Sequence, residues 1–169
     1  MLKMDNRRFS KLTLLKASRT KIPDDPNAGT LEVARVAPGL FTANFGGQGP
    51  AAAHALTVRG PVSSLSLTFQ CDAQGANCIT TPIDLGAETD NVFLVLYGTG
   101  LRNRSGLAAV SCSVGGVDAQ VDYAGPQGDY FGLDQVNVKL PGSLRGRGEV
   151  DVVLTVDGAA ANTVKVRVK

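Results

Sequence analysis

The sequence predicts an all-β protein in which two sheets pack as a β-sandwich. Short apolar runs are separated by turn residues, and the chain contains 20 Gly and 8 Pro. Apolar and polar residues alternate with a period of two, most clearly after residue 88, and no helical period of adequate length competes. Because one face of each strand is polar, we expect each sheet to bury one face and expose the other.

Length and composition limit the classes of protein to consider. A chain of 169 residues suffices for one ordinary domain, or for two small β modules that share an interface. Hydrophobic residues make up 43% and charged residues 19%, which is typical of a globular protein. Only 5% are aromatic and Trp is absent, so stacking platforms for sugars or single-stranded nucleic acid are disfavoured. Small-molecule ligands are disfavoured as well.

Residues 1–30 are predicted to form a basic tail or linker. Seven of the 17 Lys and Arg residues precede Pro23, and only Asp5 opposes them. The string 22–29 is rich in Pro, Asp and Gly, which interrupt regular structure. Basic segments of this kind are more often solvated chain termini than arms that bind phosphate groups, so nucleic acid is disfavoured as a partner. No stretch approaches a membrane span, and we expect no export signal within this chain.

Residues 31–87 are predicted to form a β-rich segment that packs on the module following it. From Thr30 onward the sequence consists of short apolar runs between glycine turns. The predicted strands of this segment are 31–36, 54–58, 65–71 and 79–85.

Residues 88–169 carry the clearest strand pattern. Asn91–Tyr97 is apolar on both parities, as expected of a central strand that is covered on both sides. Gly115 and Gly116 supply the positive φ angles that a two-residue hairpin turn requires. The further strands predicted by alternation are 110–114, 117–123, 135–140, 150–156 and 164–168. Six strands at this spacing are typical of a β-sandwich.

Motifs scattered over residues 31–169 resemble a known bacterial family. The motifs are Ala37–Thr42, Gly47–Gly49, Leu96–Leu101, Ser113–Val117, Tyr123–Gly125, Gly132–Val138 and Val156–Gly158 with Asn162. In this order they resemble the Solibacter-type, acidobacterial C-terminal domain of exported proteins. That family is similar in turn to IPT/TIG modules, and the resemblance therefore implies an immunoglobulin-like β-sandwich for residues 88–169.

The resemblance implies a location and a class of role. Such domains are typically the last module of large secreted or surface-exposed bacterial proteins, and no catalytic residues are associated with them. We therefore expect a non-catalytic structural or interaction module, extracellular or on the cell surface, with a protein partner or self-association. Strand edges or the N-terminal arm would make the contact. The alternative is an accessory polysaccharide-binding module of an extracellular enzyme. This chain departs from the family because basic residues 1–22 stand where a preceding immunoglobulin-like repeat would lie.

The three cysteines allow two interpretations of similar weight. Cys71 and Cys78 flank a polar six-residue loop between two predicted strands, so they are a candidate disulfide or two free thiols. A lone pair of this spacing, with no His nearby, is a poor metal site. Cys112 alternates with valines and is predicted to be a buried free thiol.

The sequence offers no catalytic, cofactor-binding or metal-binding constellation. His54 is the only histidine, so neither a catalytic triad with spare parts nor a multi-histidine metal site can be assembled easily. Four arginines in two predicted loops are the candidate interaction residues, because end loops of a sandwich often carry recognition. They are Arg102, Arg104, Arg145 and Arg147. Gln135 and Asn137 lie on the outward parity of a strand, where a structural hydrogen-bonding role is favoured.

Overall fold

The computed structural model describes residues 33–75 and 77–169. These residues form strands, turns and two short 3-10 helices, Leu107–Ala109 and Gly142–Leu144, and contain no α-helix. The all-β prediction is therefore confirmed for the described part of the chain. The predicted tail, residues 1–30, lies outside the described residues.

Thirteen strands lie within the described residues, and most are short. They are β1 (Gly39–Leu40), β2 (Ala53–Arg59), β3 (Val62–Leu67), β4 (Phe69–Cys71), β5 (Cys78–Thr80), β6 (Pro82–Ile83), β7 (Asn91–Thr99), β8 (Val110–Val114), β9 (Val117–Pro126), β10 (Asp134–Lys139), β11 (Gly148–Val156), β12 (Ala159–Ala160) and β13 (Val164–Val168). Strands β4 and β5 form a separate hairpin, and the other strands belong to one sheet.

The large sheet has the order β3-β2-β7-β10-β9-β8-β11-β13-β6 and curls over itself. Strand β1 pairs antiparallel with the end of β7, and β12 pairs with β11. The long strand β9 belongs to both halves, because Val117–Ala119 pair with β8 while residues 120–126 pair with β10. The register shifts opposite Asn137 and Val138, and an irregularity of this kind bends a strand. The chain thus passes from one half of the sheet to the other without a break in pairing.

The core lies between the two halves of the sheet and confirms the period-two pattern. Leu94 and Val136 from one half are buried in the same cluster as Leu154 and Val166 from the other. On the predicted parity of β8, β10, β11 and β13, the residues Val114, Val138, Val152 and Val164 are fully buried, and Val136, Leu154 and Val166 on the same parity are buried with them. Each buried side chain of this kind contributes roughly 1.5–3 kcal/mol, so this alternation accounts for most of the driving force of folding.

The hairpin between β8 and β9 forms as predicted. Its turn residues Gly115 and Gly116 have φ angles of 58° and 75°, which cost glycine nothing but strain other residues. The turn N–H of Gly115 also donates to the carbonyl of Asp151 in β11. The turn therefore sets the register of β8 and β9 and is itself held by the neighbouring strand.

Three predicted strands of the first half differ from the structure. No strand spans 33–36, the described part of the predicted strand 31–36, and pairing begins at β1 after Pro38. The predicted strand 65–71 divides at Thr68, which turns into the core: its N–H donates to Ala53, and its carbonyl accepts from Thr81. The predicted strand 79–85 divides at Thr81 for the same reason. Long-range hydrogen bonds, which local patterns do not report, place these breaks.

Residues 36–169 form one compact unit. Strands from both sides of residue 87 share its sheet, since β2 pairs with β7 and β6 runs parallel to β13. Residues 33–87 therefore contribute the outer strands β3, β2 and β6 to the sheet whose centre is built by residues 88–169.

We expect Val152→Asp to unfold the protein, and Asp151→Ala to leave it folded. The introduced carboxylate would be buried without a partner at a site that is 0% exposed, which costs more than about 4 kcal/mol. Asp151 is exposed and accepts a hydrogen bond from Lys165 (2.9 Å), a contact that raises the pKa of Lys165. Such exposed pairs add little, so its loss should lower the melting temperature by less than about 2 °C. Similar melting temperatures for both variants, measured by circular dichroism, would contradict the assignment of the two faces.

Candidate functional site

The four candidate arginines lie at opposite ends of the sheet. Arg102 and Arg104 follow the end of β7, whereas Arg145 and Arg147 follow the end of β10. Because β7 and β10 are antiparallel, their carboxyl ends point in opposite directions. The structure therefore does not bring the two pairs of arginines together into one site.

Arg102 forms an ion pair with a buried carboxylate. Its Nε donates to Asp134 Oδ1 (2.9 Å), and Asp134 Oδ2 accepts the backbone N–H of Leu101 (2.8 Å). Asp134 is 0% exposed, so these charge-assisted hydrogen bonds compensate the loss of its hydration. The ion pair links the loop after β7 to Asp134, the first residue of β10. The Arg102 side chain therefore has a structural role in this contact.

Arg145 and Arg147 also hold loops in place. Arg145 donates through Nη2 to the carbonyls of Gly86 (3.0 Å) and Ala87 (3.1 Å), which lie between β6 and β7. Arg147 donates to the carbonyls of Ser143 (3.2 Å) and Gly115 (3.0 Å). These backbone carbonyl groups, which are not paired within the sheet, thereby accept hydrogen bonds. The two guanidinium groups therefore have a structural role.

Asn162 clamps β1 in a way that spacing and composition did not reveal. Its side chain accepts the N–H of Leu40 (2.8 Å) and donates to the carbonyls of Leu40 (2.9 Å) and Gly47 (2.7 Å). The only signal in the sequence was its place among the motifs that carry the family resemblance. Gly98 allows the same approach from the other side, because a Cβ there would lie 2.2 Å from the carbonyl of Gly39.

One side of the sheet half built by β3, β2, β7 and β10 faces away from the core, and we call it the outer face. Directly paired residues share a face, so its members follow from the strand register. They are His54, Leu56, Val58, Ser63, Leu65, Leu67, Phe93, Val95, Tyr97, Gln135, Asn137 and Lys139. Phe41 joins them, since its N–H donates to the carbonyl of Tyr97 beyond the end of β1.

The outer face is apolar at its centre and polar toward β10. Strand β7 presents Phe93 and Tyr97 half-buried and Val95 buried, so the predicted cover on both sides of this strand is complete at Val95 and partial at the two aromatic residues. Gln135 Nε2 donates to Asn137 Oδ1 (2.8 Å), which forms the amide pair expected on the outward parity. Burial raises the pKa of the Tyr97 hydroxyl above its usual value, so this group is a neutral hydrogen-bonding partner.

His54 lies on the outer face and packs against Tyr97. Its ring contacts Tyr97 edge to face, with 5.7 Å between the ring centroids, and Nδ1 has no hydrogen-bond partner among the described residues. A histidine base needs a nucleophile within about 2.6–3.2 Å and a group that orients the ring. The observed aromatic contact gives His54 a packing role.

Strand β3 is the exposed edge of the outer face. All six of its residues are exposed, and Val62, Leu65 and Leu67 are 64%, 58% and 53% accessible. The N–H of Thr68 donates to the carbonyl of Ala53, so these two residues form a hydrogen-bonded pair. Hydrogen-bonded and non-hydrogen-bonded pairs alternate along antiparallel strands. The N–H and C=O groups of Ser63, Leu65 and Leu67 therefore point away from β2. Within residues 33–75 and 77–169, no strand pairs with this side of β3.

The opposite edge of the sheet is covered. Strand β13 bonds to the segment before β2, where Lys165 N–H donates to Gly49 (2.8 Å), and then to β6, where Lys169 N–H donates to Ile83 (2.9 Å). Strand β6 is only two residues long and begins with Pro82. Short, proline-containing edges resist pairing with another chain, so this edge is protected, whereas β3 is open among the residues that the structure describes.

Cys71 and Cys78 are bonded as a disulfide across the β4–β5 hairpin. This outcome selects one of the two interpretations left open by their spacing. Cys112 is a buried free thiol, as predicted, and burial raises its pKa to about 12. A thiol with that pKa is almost wholly protonated at neutral pH and is therefore a poor nucleophile.

A polar hollow of about 650 Å³ lies at the end of the sheet where β7 begins. Glu88, Asp90 and Asp118 line it together with Lys139 and Arg145. Asp90 is paired with Arg59 (2.9 Å), and no group of three potential metal-binding side chains converges within the described residues. Arg145 is occupied by carbonyl groups, so this hollow lacks a convergent set of free polar groups.

Comparison of the chain with protein-family models, with curated proteins and with solved structures found no match. In the part of the chain that the structure describes, no helix is long and apolar enough to cross a bilayer.

The disulfide and the buried thiol predict a definite thiol count. We expect Ellman's reagent at pH 8 to detect essentially no thiol in the native protein, because Cys112 is buried and its pKa is about 12. In denaturant without reductant one thiol should react, and after reduction all three. The Cys112→Ser variant is the matched control and should show none before reduction. Three reactive thiols in the unreduced, denatured chain would contradict the bridge.

Proposed function

We propose that this chain is a non-catalytic structural and interaction module of a bacterial secreted or cell-surface protein, and that it associates through the open edge of β3. The observation that carries this proposal is an exposed strand of six residues with unpaired backbone groups in the described structure. An added strand from another chain would gain main-chain hydrogen bonds there, and Leu65 and Leu67 would supply apolar contacts.

An immunoglobulin-like, IPT/TIG-like sandwich is the fold proposed for this module. The shared core between two halves of a curled, mainly antiparallel sheet supports it, as does the passage of β9 from one half to the other. Sandwiches of this class commonly serve as cell-surface domains and use their edges and end loops for contacts.

The disulfide supports a location outside the cytosol. Bonds such as Cys71–Cys78 form and persist in oxidising compartments and are rare where thiol reductants are abundant. This chemistry agrees with the exported proteins that the sequence motifs resemble. We therefore propose that the module acts at the cell surface or in the extracellular space.

The state of the reactive side chains supports a role without catalysis. The Cys112 thiol is buried and protonated, His54 packs on an aromatic ring, and the Asp134 carboxylate is neutralised by Arg102. These groups are held in structural contacts, whereas a nucleophile and its base must face a substrate at hydrogen-bond distance.

A photo-crosslinking amino acid at position 65 tests the association in the cells that produce the protein. We expect irradiation to give a product of higher mass, because Leu65 lies on the open edge and is 58% exposed. The same amino acid in place of Val153, which is 39% exposed in β11, is the matched control and should give no such product. Equal products at the two positions, or none at position 65, would remove β3 as the contact.

An accessory polysaccharide-binding module is the second candidate, and the aromatic side chains of the outer face favour it. Phe41, Phe93 and Tyr97 lie on that face, next to the amides of Gln135 and Asn137. Phe41 also lines a hollow of about 430 Å³ beside it. Aromatic rings offer large, rigid contact area to a sugar ring, and amides can pair with its hydroxyl groups.

Affinity electrophoresis through gels that contain soluble polysaccharides tests this second candidate. If the outer face binds sugar, a gel that retards the wild-type chain should retard Phe41→Ala at least about tenfold less, because an exposed stacking surface is lost. Tyr130→Ala removes an exposed aromatic residue from the loop after β9 and should migrate like wild type. Absence of retardation by every polysaccharide, or an equal effect of both substitutions, would dismiss this candidate.

A further inference from the structure

We propose that the occupant of the open β3 edge is a second copy of this chain, paired antiparallel with β3 about a twofold axis at Leu65. This inference rests on the proposed function, since it names the partner of the same edge. The paired strands would join the outer faces of both copies into one continuous surface.

The backbone of β3 fits a copy of itself. Ser63, Leu65 and Leu67 direct their N–H and C=O groups away from β2, as the pairing of Thr68 with Ala53 requires. A twofold axis at Leu65 places this residue opposite its own copy and Ser63 opposite Leu67. The carbonyl of Leu67 already accepts from Thr81 Oγ1 (2.8 Å), and its second lone pair remains for the partner strand.

The absence of charged side chains on β3 favours a second copy of the same strand as its partner. A twofold interface brings each residue near its own copy, so any charge on the patch would meet the same charge. Residues 62–67 contain no charged side chain, no proline and no bulge, and therefore lack the usual means of keeping edges apart. Strands that select a foreign partner commonly carry a charge pattern complementary to it, and β3 has none.

The side chains of β3 also complement each other by size. On the outer face, a small Ser63 would stand opposite a large Leu67, and Leu65 would meet Leu65 of the second copy. Leu56 and Phe93 continue the same apolar surface behind β3, since Leu56 pairs directly with both Leu65 and Phe93. The opposite parity of β3, with Val62, Ser64 and Ser66, is exposed as well, so a second strand meets no covering residue there among those described.

Charge substitution at the twofold axis tests the proposal on the full chain. We expect the wild type to reach twice the chain mass at tens of micromolar in light scattering or sedimentation. Leu65→Lys and Leu65→Glu should each weaken the dimer about tenfold or more, because like charges would lie directly opposite each other. Mixing the two variants should restore the dimer, because the introduced lysine then faces the introduced glutamate of its partner. Val153→Lys, an equally drastic change on β11, should leave the wild-type mass unchanged.

Each outcome supports or overturns the proposal. Rescue in the mixture supports β3 self-pairing, whereas a wild-type chain that is monomeric at about 100 µM overturns it, whichever other occupant takes the edge. A monomer whose position 65 crosslinks to a different protein refutes the second copy and leaves the proposed interaction function intact. If both Leu65 variants remain dimeric, β3 is refuted as the contact. If the Leu65 variants fail to fold by circular dichroism, Ser63→Lys and Leu67→Glu, which the twofold axis places opposite each other, repeat the mixing test.

Discussion

The fold depends on one buried layer that both halves of the sheet must share. Valines and leucines at alternate positions, such as Leu94, Val138, Val152 and Val166, are removed from water only when the halves face each other. Strand β9 makes this possible because it pairs with β8 at its start and with β10 further on. The register irregularity of β9, opposite Asn137 and Val138, lies beside this change of pairing partner.

Polar side chains hold the loops and short strands that lie outside the core. Asp134 with Arg102, Asn162 with the backbone of Leu40, and Arg145 with the carbonyls after β6 each bridge segments far apart in sequence. Because the charged member Asp134 is fully buried, its hydrogen bonds are costly to lose. Three of the four candidate loop arginines, Arg102, Arg145 and Arg147, thus hold backbone or carboxylate groups of the fold in place.

The two edges of the sheet differ in whether their backbone hydrogen-bonding groups are covered. At β13, the segment before β2 and the short strand β6 cover the backbone groups, whereas β3 exposes its own. Edges of the second kind readily add a strand from another chain. An open edge next to an apolar outer face is what makes an interaction module the function best supported by this geometry.

The sequence by itself determined the all-β class, the buried parity of the strands after residue 88, the Gly115–Gly116 turn and the buried Cys112 thiol, because period and turn chemistry act locally. The breaks at Thr68 and Thr81, and the opposite ends occupied by the arginines, were decided by long-range pairing. The same pairing chose between the two states of Cys71 and Cys78 and left β3 as the open edge. Which strands become neighbours depends on the summed burial of the whole sheet, and no local pattern contains that sum.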